Sequence, residues 1–278
     1  MKAVTVYGPR DMRIEDVPMR PLKRDEVLVR VAWTGICATD LAIYTGESSF
    51  VKSGEIRYPC RVGHEWSGIV EEVGESVTKF KKGDRVITDN GVSCGECDNC
   101  KCGDRFGCTE IMSVGTINCW DGCYAEYMYM PECHTYPLAD SVSLEEAALA
   151  EPLSIALGAV KKYEIRPDTT VAVIGTGSIA LGAAALASVK GAKQVIVIGR
   201  KDFKLEAALK CGATHVVNST KENAEERLRE ITAGKGADFV IESSGGPKTV
   251  EEAMRIASKR GTVALLAFYE RTLDAFPI

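Results

Sequence analysis

The spacing of apolar residues changes character partway along the chain. Up to about Leu144, runs such as KAVTVYG, EVLVRVAWTGI, GIVEEVG and DRVITD alternate or concentrate β-branched residues and end near Gly, Asp or Pro, which predicts short strands joined by turns. The lysines of KFKKGDR read as a solvated turn ahead of DRVITD. From Leu144 onward, LEEAALAEPLSIALGAVKKY carries Ala and Leu at helical spacing, with a break in the helix pair expected near Pro152. After Pro167, the runs VAVIG, QVIVIG, THVVN, DFVIES and TVALLA recur at intervals of about twenty residues, separated by helical segments such as FKLEAALKCGA and KTVEEAMRIASK. Strand and helix in alternation call for a parallel sheet with right-handed crossovers, so the chain reads as α/β, a β-rich first domain followed by a doubly wound second one.

Composition narrows the picture. With 278 residues and 45% hydrophobic content the chain can build real cores. Its 34 basic and 39 acidic side chains leave a net charge of −5, against any general affinity for nucleic acid or anionic lipid. The N-terminus has no apolar core of signal-peptide length, which implies a cytoplasmic protein. The uncharged stretch from Thr169 to Val189 divides into a β-rich and an Ala-rich half around GTGSIALG, and is not read as a membrane span. Eleven cysteines without an export signal are expected to stay reduced, so clustered ones point to metal.

One such cluster is Cys94, Cys97, Cys100 and Cys108, spaced C-x2-C-x2-C-x7-C in a Gly- and Asp-rich loop. Four thiolates can close a tetrahedron around zinc and leave no position for substrate, which makes the lobe structural. An iron-sulfur cluster is disfavoured because the following x3-Cys-Pro is missing. Cys102 competes for the fourth position, and Lys101 and Arg105 are placed to soften the thiolate charge. Cys60, Cys119, Cys123, Cys133 and Cys211 read as packed thiols. Gly63-His64-Glu65-Trp66-Ser67-Gly68 sets two further ligand types, His64 and Glu65, among glycines, in a chain with only three histidines. His134 and His215 read as structural.

Gly175-Thr176-Gly177-Ser178-Ile179-Ala180 follows a strand and opens a helix of small residues. The first glycine permits the turn, the second lets backbone N–H groups approach a pyrophosphate, and Ala180 fills the position that needs only a small residue. At the end of the next strand, where an NAD site carries Asp or Glu, stand Gly199-Arg200-Lys201. Without that carboxylate a 2′-phosphate is not repelled and Arg200 can grip it, so NADP is predicted over NAD.

Taken together, these motifs resemble the zinc-dependent medium-chain dehydrogenases, the alcohol and polyol dehydrogenase family, nearly from end to end. The most specific match is G-H-E-x2-G-x5-G-x2-V at Gly63, His64, Glu65, Gly68, Gly74 and Val77. The resemblance implies a GroES-like catalytic domain over residues 1–155 and a Rossmann dinucleotide-binding domain over 156–278. It implies one catalytic and one structural zinc, with the catalytic ion held by Cys37, by His64 and by either Glu65 or Glu151, the last in a polyol-branch motif E-P-L-S. Thr39 resembles the family's hydroxyl that takes the substrate proton, while Ala42 stands where many members have histidine. The implied reaction is hydride transfer between a polyol or sugar-like secondary alcohol and NAD(P), with the threonine dehydrogenase branch a close rival and a homodimer or homotetramer the usual assembly. Members also continue past the fifth Rossmann strand where this sequence stops, so a truncated, inactive zinc protein is the alternative from another class.

Overall fold

The computed structural model describes residues 1–269. Contacts within the chain divide it into two compact units, Met1–Glu151 and Pro152–Ile278.

The first unit is built from short antiparallel strands. β1 (Lys2–Gly8) and β2 (Asp11–Asp16) lead to β3 (Glu26–Thr34), followed by α1 (Ala38–Thr45) and α2 (Ser49–Ser53). β4 (Cys60–Arg61), β5 (Trp66–Val73), β6 (Arg85–Thr88) and β7 (Gly91–Val92) come next, then α3 (Asp98–Lys101), β8 (Met112–Ser113), β9 (Tyr127–Pro131), β10 (Thr135–Pro137) and α4 (Leu144–Ala147). The main sheet has the order β10-β6-β5-β3-β9, beside a smaller sheet β2-β1-β4 and the ribbon β7-β8. Val27, Val29, Trp66, Val70, Val86, Met128 and Met130 from the four long strands of the main sheet bury its core. A second cluster of Val6, Ile43, Ile56, Cys60 and Val62 packs beneath α1, so the segment entering β5 is fixed from both sides.

The division falls inside α5 (Ala150–Val160), between Glu151 and Pro152. Pro152 does not mark the break expected there. The break is the turn at Ala148 and Leu149, and Pro152 sits in the first turn of α5, where its missing N–H breaks no intrahelical bond.

In the second unit β11 (Thr170–Ile174), α6 (Ser178–Val189), β12 (Gln194–Gly199), α7 (Asp202–Lys210) and β13 (His215–Asn218) are followed by α8 (Ala224–Ile231), β14 (Ala237–Glu242), α9 (Pro247–Ile256) and β15 (Ala257–Leu265). The strands are all parallel in the order β13-β12-β11-β14-β15, with the chain reversing direction across the sheet at β11. Alternate residues feed two cores. Val171, Val173, Val195 and Val197 pack on the alanines of α6, while Ala172, Ile174, Ile196 and Ile198 pack toward Leu228 and Ala253 of α8 and α9. The helical reading of KTVEEAMRIASK ends too late: α9 stops at Ile256, and Ala257 is captured as a strand residue by pairing with Ala237. A register shift then brings Thr262 opposite Phe239.

Candidate functional site

The end of β3 and the start of β5 lie side by side in the first unit, Thr34 opposite Trp66. The residues just past one strand therefore meet those just before the other. Cys37 is the N-cap of α1, and His64 and Glu65 directly precede β5. Their ligand atoms lie within 4.8 Å of one another, with His64 and Glu65 both buried. Gly35 makes room for this: a Cβ there would run into the Glu65 carboxylate, so even alanine is excluded unless that side chain moves. The Gly35 N–H also donates to the Glu65 carbonyl at 2.7 Å.

The sequence reading missed the residue that organises this group. Asp40, 3% exposed in the first turn of α1, accepts from the Cys37 N–H at 3.0 Å and the Tyr124 hydroxyl at 2.8 Å through Oδ2, and from the Gly63 N–H at 3.1 Å through Oδ1. His64 Nδ1 stands 3.5 Å from Asp40 Oδ1, a charge contact without hydrogen-bond alignment, and that buried nitrogen has no hydrogen-bond partner among the described residues. C-A-T-D has a capping-box spacing in the sequence, but the contacts with Gly63 and His64 that make Asp40 central are set by the tertiary structure.

With protein groups alone, burial pushes the His64 pKa down, but Asp40 and Cys37 outweigh it and hold it at about 10. Burial raises Glu65, and it raises Glu151 as well. For Asp40 the same burial cost is overcome by His64, the Cys37 N–H and Tyr124, and its carboxyl stays below the usual range. A half-buried thiol converging within 4.8 Å with a buried imidazole and a buried carboxylate is a donor set that fits a divalent metal of the zinc type. Glu151 lies outside the converging trio, yet close enough to feel the charges of His64 and Glu65. Thr39 is partly exposed on the first turn of α1 and has no hydrogen-bond partner among the described residues.

Cys94, Cys97, Cys100 and Cys108 also converge within 4.8 Å, with Sγ to Sγ distances of 3.4 Å for Cys97 to Cys100 and 3.9 Å for Cys94 to Cys100. Cys102 is excluded: it is exposed and its Sγ turns to the Asn99 carbonyl at 3.2 Å. Backbone N–H groups face these sulfurs. Glu96 and Cys97 donate to Cys94 Sγ, each at 3.4 Å, and Cys94 donates to Cys108 Sγ at 3.3 Å, while Arg105 is tied to the Cys133 carbonyl. Backbone N–H groups lower the Cys97 pKa, whereas desolvation and its thiol neighbours raise that of Cys100.

In the second unit, Gly175 has φ +121°, and a Cβ on it would lie 2.7 Å from Ser243 Oγ, so the strand turns into α6 only with glycine there. A cavity of about 470 Å³ lies over this turn, lined by Gly175, Thr176, Gly177, Gly199, Arg200 and Lys201 among others. Ser178, Ile179 and Ala180 are not in its lining: Ser178 opens α6, Ile179 packs against the core and Ala180 is fully buried. Sequence spacing did not reveal Lys204, Ser219, Thr249 and Glu252, which line the same cavity from three other segments. Among the described residues no helix is long and apolar enough to cross a membrane.

A β-rich unit with two metal-competent clusters and a parallel sheet with a glycine turn over a cleft define a metal-dependent dehydrogenase. Residues 23–140 match the alcohol dehydrogenase GroES-like domain, and residues 178–278 match the zinc-binding dehydrogenase family. Sorbitol dehydrogenase of Bacillus subtilis is 36% identical over 266 residues, 96% of this chain and 74% of that protein. L-threonine 3-dehydrogenase of Bacillus licheniformis is 35% identical over 95% of this chain and 75% of that protein. Among solved structures, a zinc-binding dehydrogenase from Sinorhizobium meliloti bound to NADP superposes with a TM-score of 0.88 at 30% identity, covering 99% of this chain and 80% of that one. The chain belongs to the zinc-dependent medium-chain dehydrogenases, and it is an alcohol oxidoreductase.

Proposed function

We propose that the protein oxidises a secondary alcohol of a polyol or sugar-like substrate, reversibly, with NADP as the hydride acceptor. The observation that carries this is the convergence of Cys37, His64 and Glu65 within 4.8 Å beside a buried Asp40. Cys37, His64 and Glu65 hold a zinc ion, which supplies the Lewis acidity that makes a bound hydroxyl acidic enough to ionise near neutral pH. Asp40 stands 3.5 Å from the imidazole, and its two backbone bonds fix the segments that carry Cys37 and His64. The placement of Glu65 in the trio supports it as the direct ligand, with Glu151 behind the substrate position. Thr39 Oγ1, free of other partners among the described residues, receives the substrate proton. Because Ala42 cannot relay it onward, the proton leaves through water or Glu151.

Cys94, Cys97, Cys100 and Cys108 hold a second, structural zinc. Residues 1–155 form the catalytic domain and 156–278 the cofactor domain. Arg200, with Lys201 and Lys204 lining the same cavity, favours a cofactor with a 2′-phosphate.

A second reading, oxidation of the L-threonine hydroxyl, is favoured by the nearly equal identity to L-threonine 3-dehydrogenase, 35% against 36%. Metal analysis combined with NADPH formation from a polyol panel and from L-threonine tests both. Two zinc ions per chain with polyol-dependent turnover supports the first reading. Turnover with threonine alone transfers the assignment to the second, and loaded protein that turns over neither rejects both.

A further inference from the structure

His134 shares no ligand group with the metal clusters, yet it is 2% exposed and every ring nitrogen is engaged. It lies just before β10, whose pairing with β6 sets Thr135 opposite Thr88, so His134 comes to rest beside Asp89. Nδ1 is 3.2 Å from Asp89 Oδ2, and the Asp89 N–H returns a bond to the His134 carbonyl at 3.0 Å. The Tyr136 hydroxyl donates to the same Asp89 oxygen at 2.8 Å, which fixes the carboxylate in turn. On the other side of the ring, Nε2 meets Ser93 twice, the backbone N–H at 3.1 Å and Oγ at 2.8 Å. Ser93 is the residue before Cys94, and the next backbone N–H, that of Cys94, donates to Cys108 Sγ at 3.3 Å.

These contacts form one continuous chain, Asp89 to His134 to Ser93 to Cys94 to Cys108. We infer that His134 is a positioning residue for the cysteine lobe, holding the peptide that enters Cys94 so that the first and last thiolates of the lobe already face one another when the metal arrives. The inference rests on the reading of this lobe as a metal site. Its physical basis is that groups outside the coordination shell orient the ligands, and their loss typically weakens metal binding about 10–100-fold.

Aspartate, histidine and serine in line also make up the relay of acyl-transfer enzymes. Here the Ser93 N–H donates to the nitrogen that a general base would use, and the ring is closed off from solvent. That arrangement clamps a backbone and leaves no room to activate a nucleophile.

The test uses the full chain loaded with cobalt(II), whose tetrathiolate absorption reports on this lobe apart from the Cys37, His64 and Glu65 group, and follows release to EDTA. His134→Phe is expected to release the tetrathiolate cobalt about 10–100-fold faster than the wild type. His134→Gln, which still offers an acceptor to the Ser93 N–H, should fall between. Ser93→Ala should change least, because it keeps the backbone bond. Should His134→Phe fail to fold, His134→Gln and Asp89→Asn carry the test, each expected to release faster than wild type. Equal release rates in all folded variants overturn the inference while leaving the metal reading intact. A wild-type chain that shows no tetrathiolate band removes the metal reading and the inference with it. Ser93-dependent hydrolysis of p-nitrophenyl acetate overturns it in favour of nucleophilic chemistry.

Discussion

The two ligand clusters of the first unit are solved in opposite ways. Cys94, Cys97, Cys100 and Cys108 lie within one short loop and are all thiols, three of them partly exposed. Cys37, His64 and Glu65 come from two segments brought together by the β3–β5 pairing and by Asp40, are of three chemical kinds, and place two of three ligands in the buried core. A loop that closes on four like ligands satisfies zinc and can do nothing else with it. A three-ligand group of mixed type, held by tertiary structure, leaves room for a further ligand, and that is the arrangement chemistry requires.

The comparison breaks most visibly at His64. His64→Ala is expected to lower kcat/KM by about a thousand-fold or more while one zinc per chain, that of the cysteine lobe, is retained; atomic absorption and steady-state kinetics check both. Loss of both ions together would mean that the two clusters are not independent. Removing a thiol from the other cluster, as in Cys97→Ser, should act on stability first. The expected drop in thermal midpoint is about 10 °C by calorimetry, with the remaining zinc still supporting turnover in the folded fraction.

A smaller effect should come from Asp40→Asn, which keeps size and most hydrogen bonds but removes the charge beside His64. Zinc affinity at the catalytic cluster is expected to fall about 10–100-fold in a competition assay, with none at the cysteine lobe. An unchanged affinity would show that backbone geometry alone holds the trio. In the second unit, Arg200→Ala should raise the KM for NADP about ten-fold and leave that for NAD nearly untouched, since only a 2′-phosphate engages the guanidinium. A chain that prefers NAD, and still does so in Arg200→Ala, would refute the cofactor assignment.

The mildest expectation concerns Glu26 on β3, remote from both clusters. Burial raises its pKa, but Arg20, bonded to both carboxylate oxygens at 2.6 and 2.8 Å, and the Lys23 N–H bring it below 4.5 overall. A carboxyl lowered on folding adds stability above its unfolded pKa and loses it as pH falls through the folded value. Unfolding of the wild type should therefore steepen below about pH 4.5, the ordinary glutamate value, and Glu26→Gln should flatten that part of the profile.

Much of this architecture could be read from the chain itself, and the reasons are local. The uninterrupted apolar runs of β11 and β12, VAVI and VIVI, write strands buried on both faces directly into the sequence, and Gly175 announces its turn because no other residue adopts φ +121° there without strain. The cysteine lobe was legible for the same reason, since short spacing alone brings the thiols together. Asp40, the Ser93–His134–Asp89 chain and the far wall of the cavity at Thr249 and Glu252 were not. Each depends on a strand pairing or a crossover that joins residues far apart in sequence.

The sequence by itself determined which ligand types were available, where the strands and the Gly175 turn lie, and which four cysteines fall close together. Only the tertiary structure brings a Glu65 oxygen, and none of Glu151, within 4.8 Å of the Cys37 and His64 ligand atoms. Both glutamates satisfy the same chemistry, and the difference is one of distance, set by how β5 abuts the end of β3 and by the space left at Gly35.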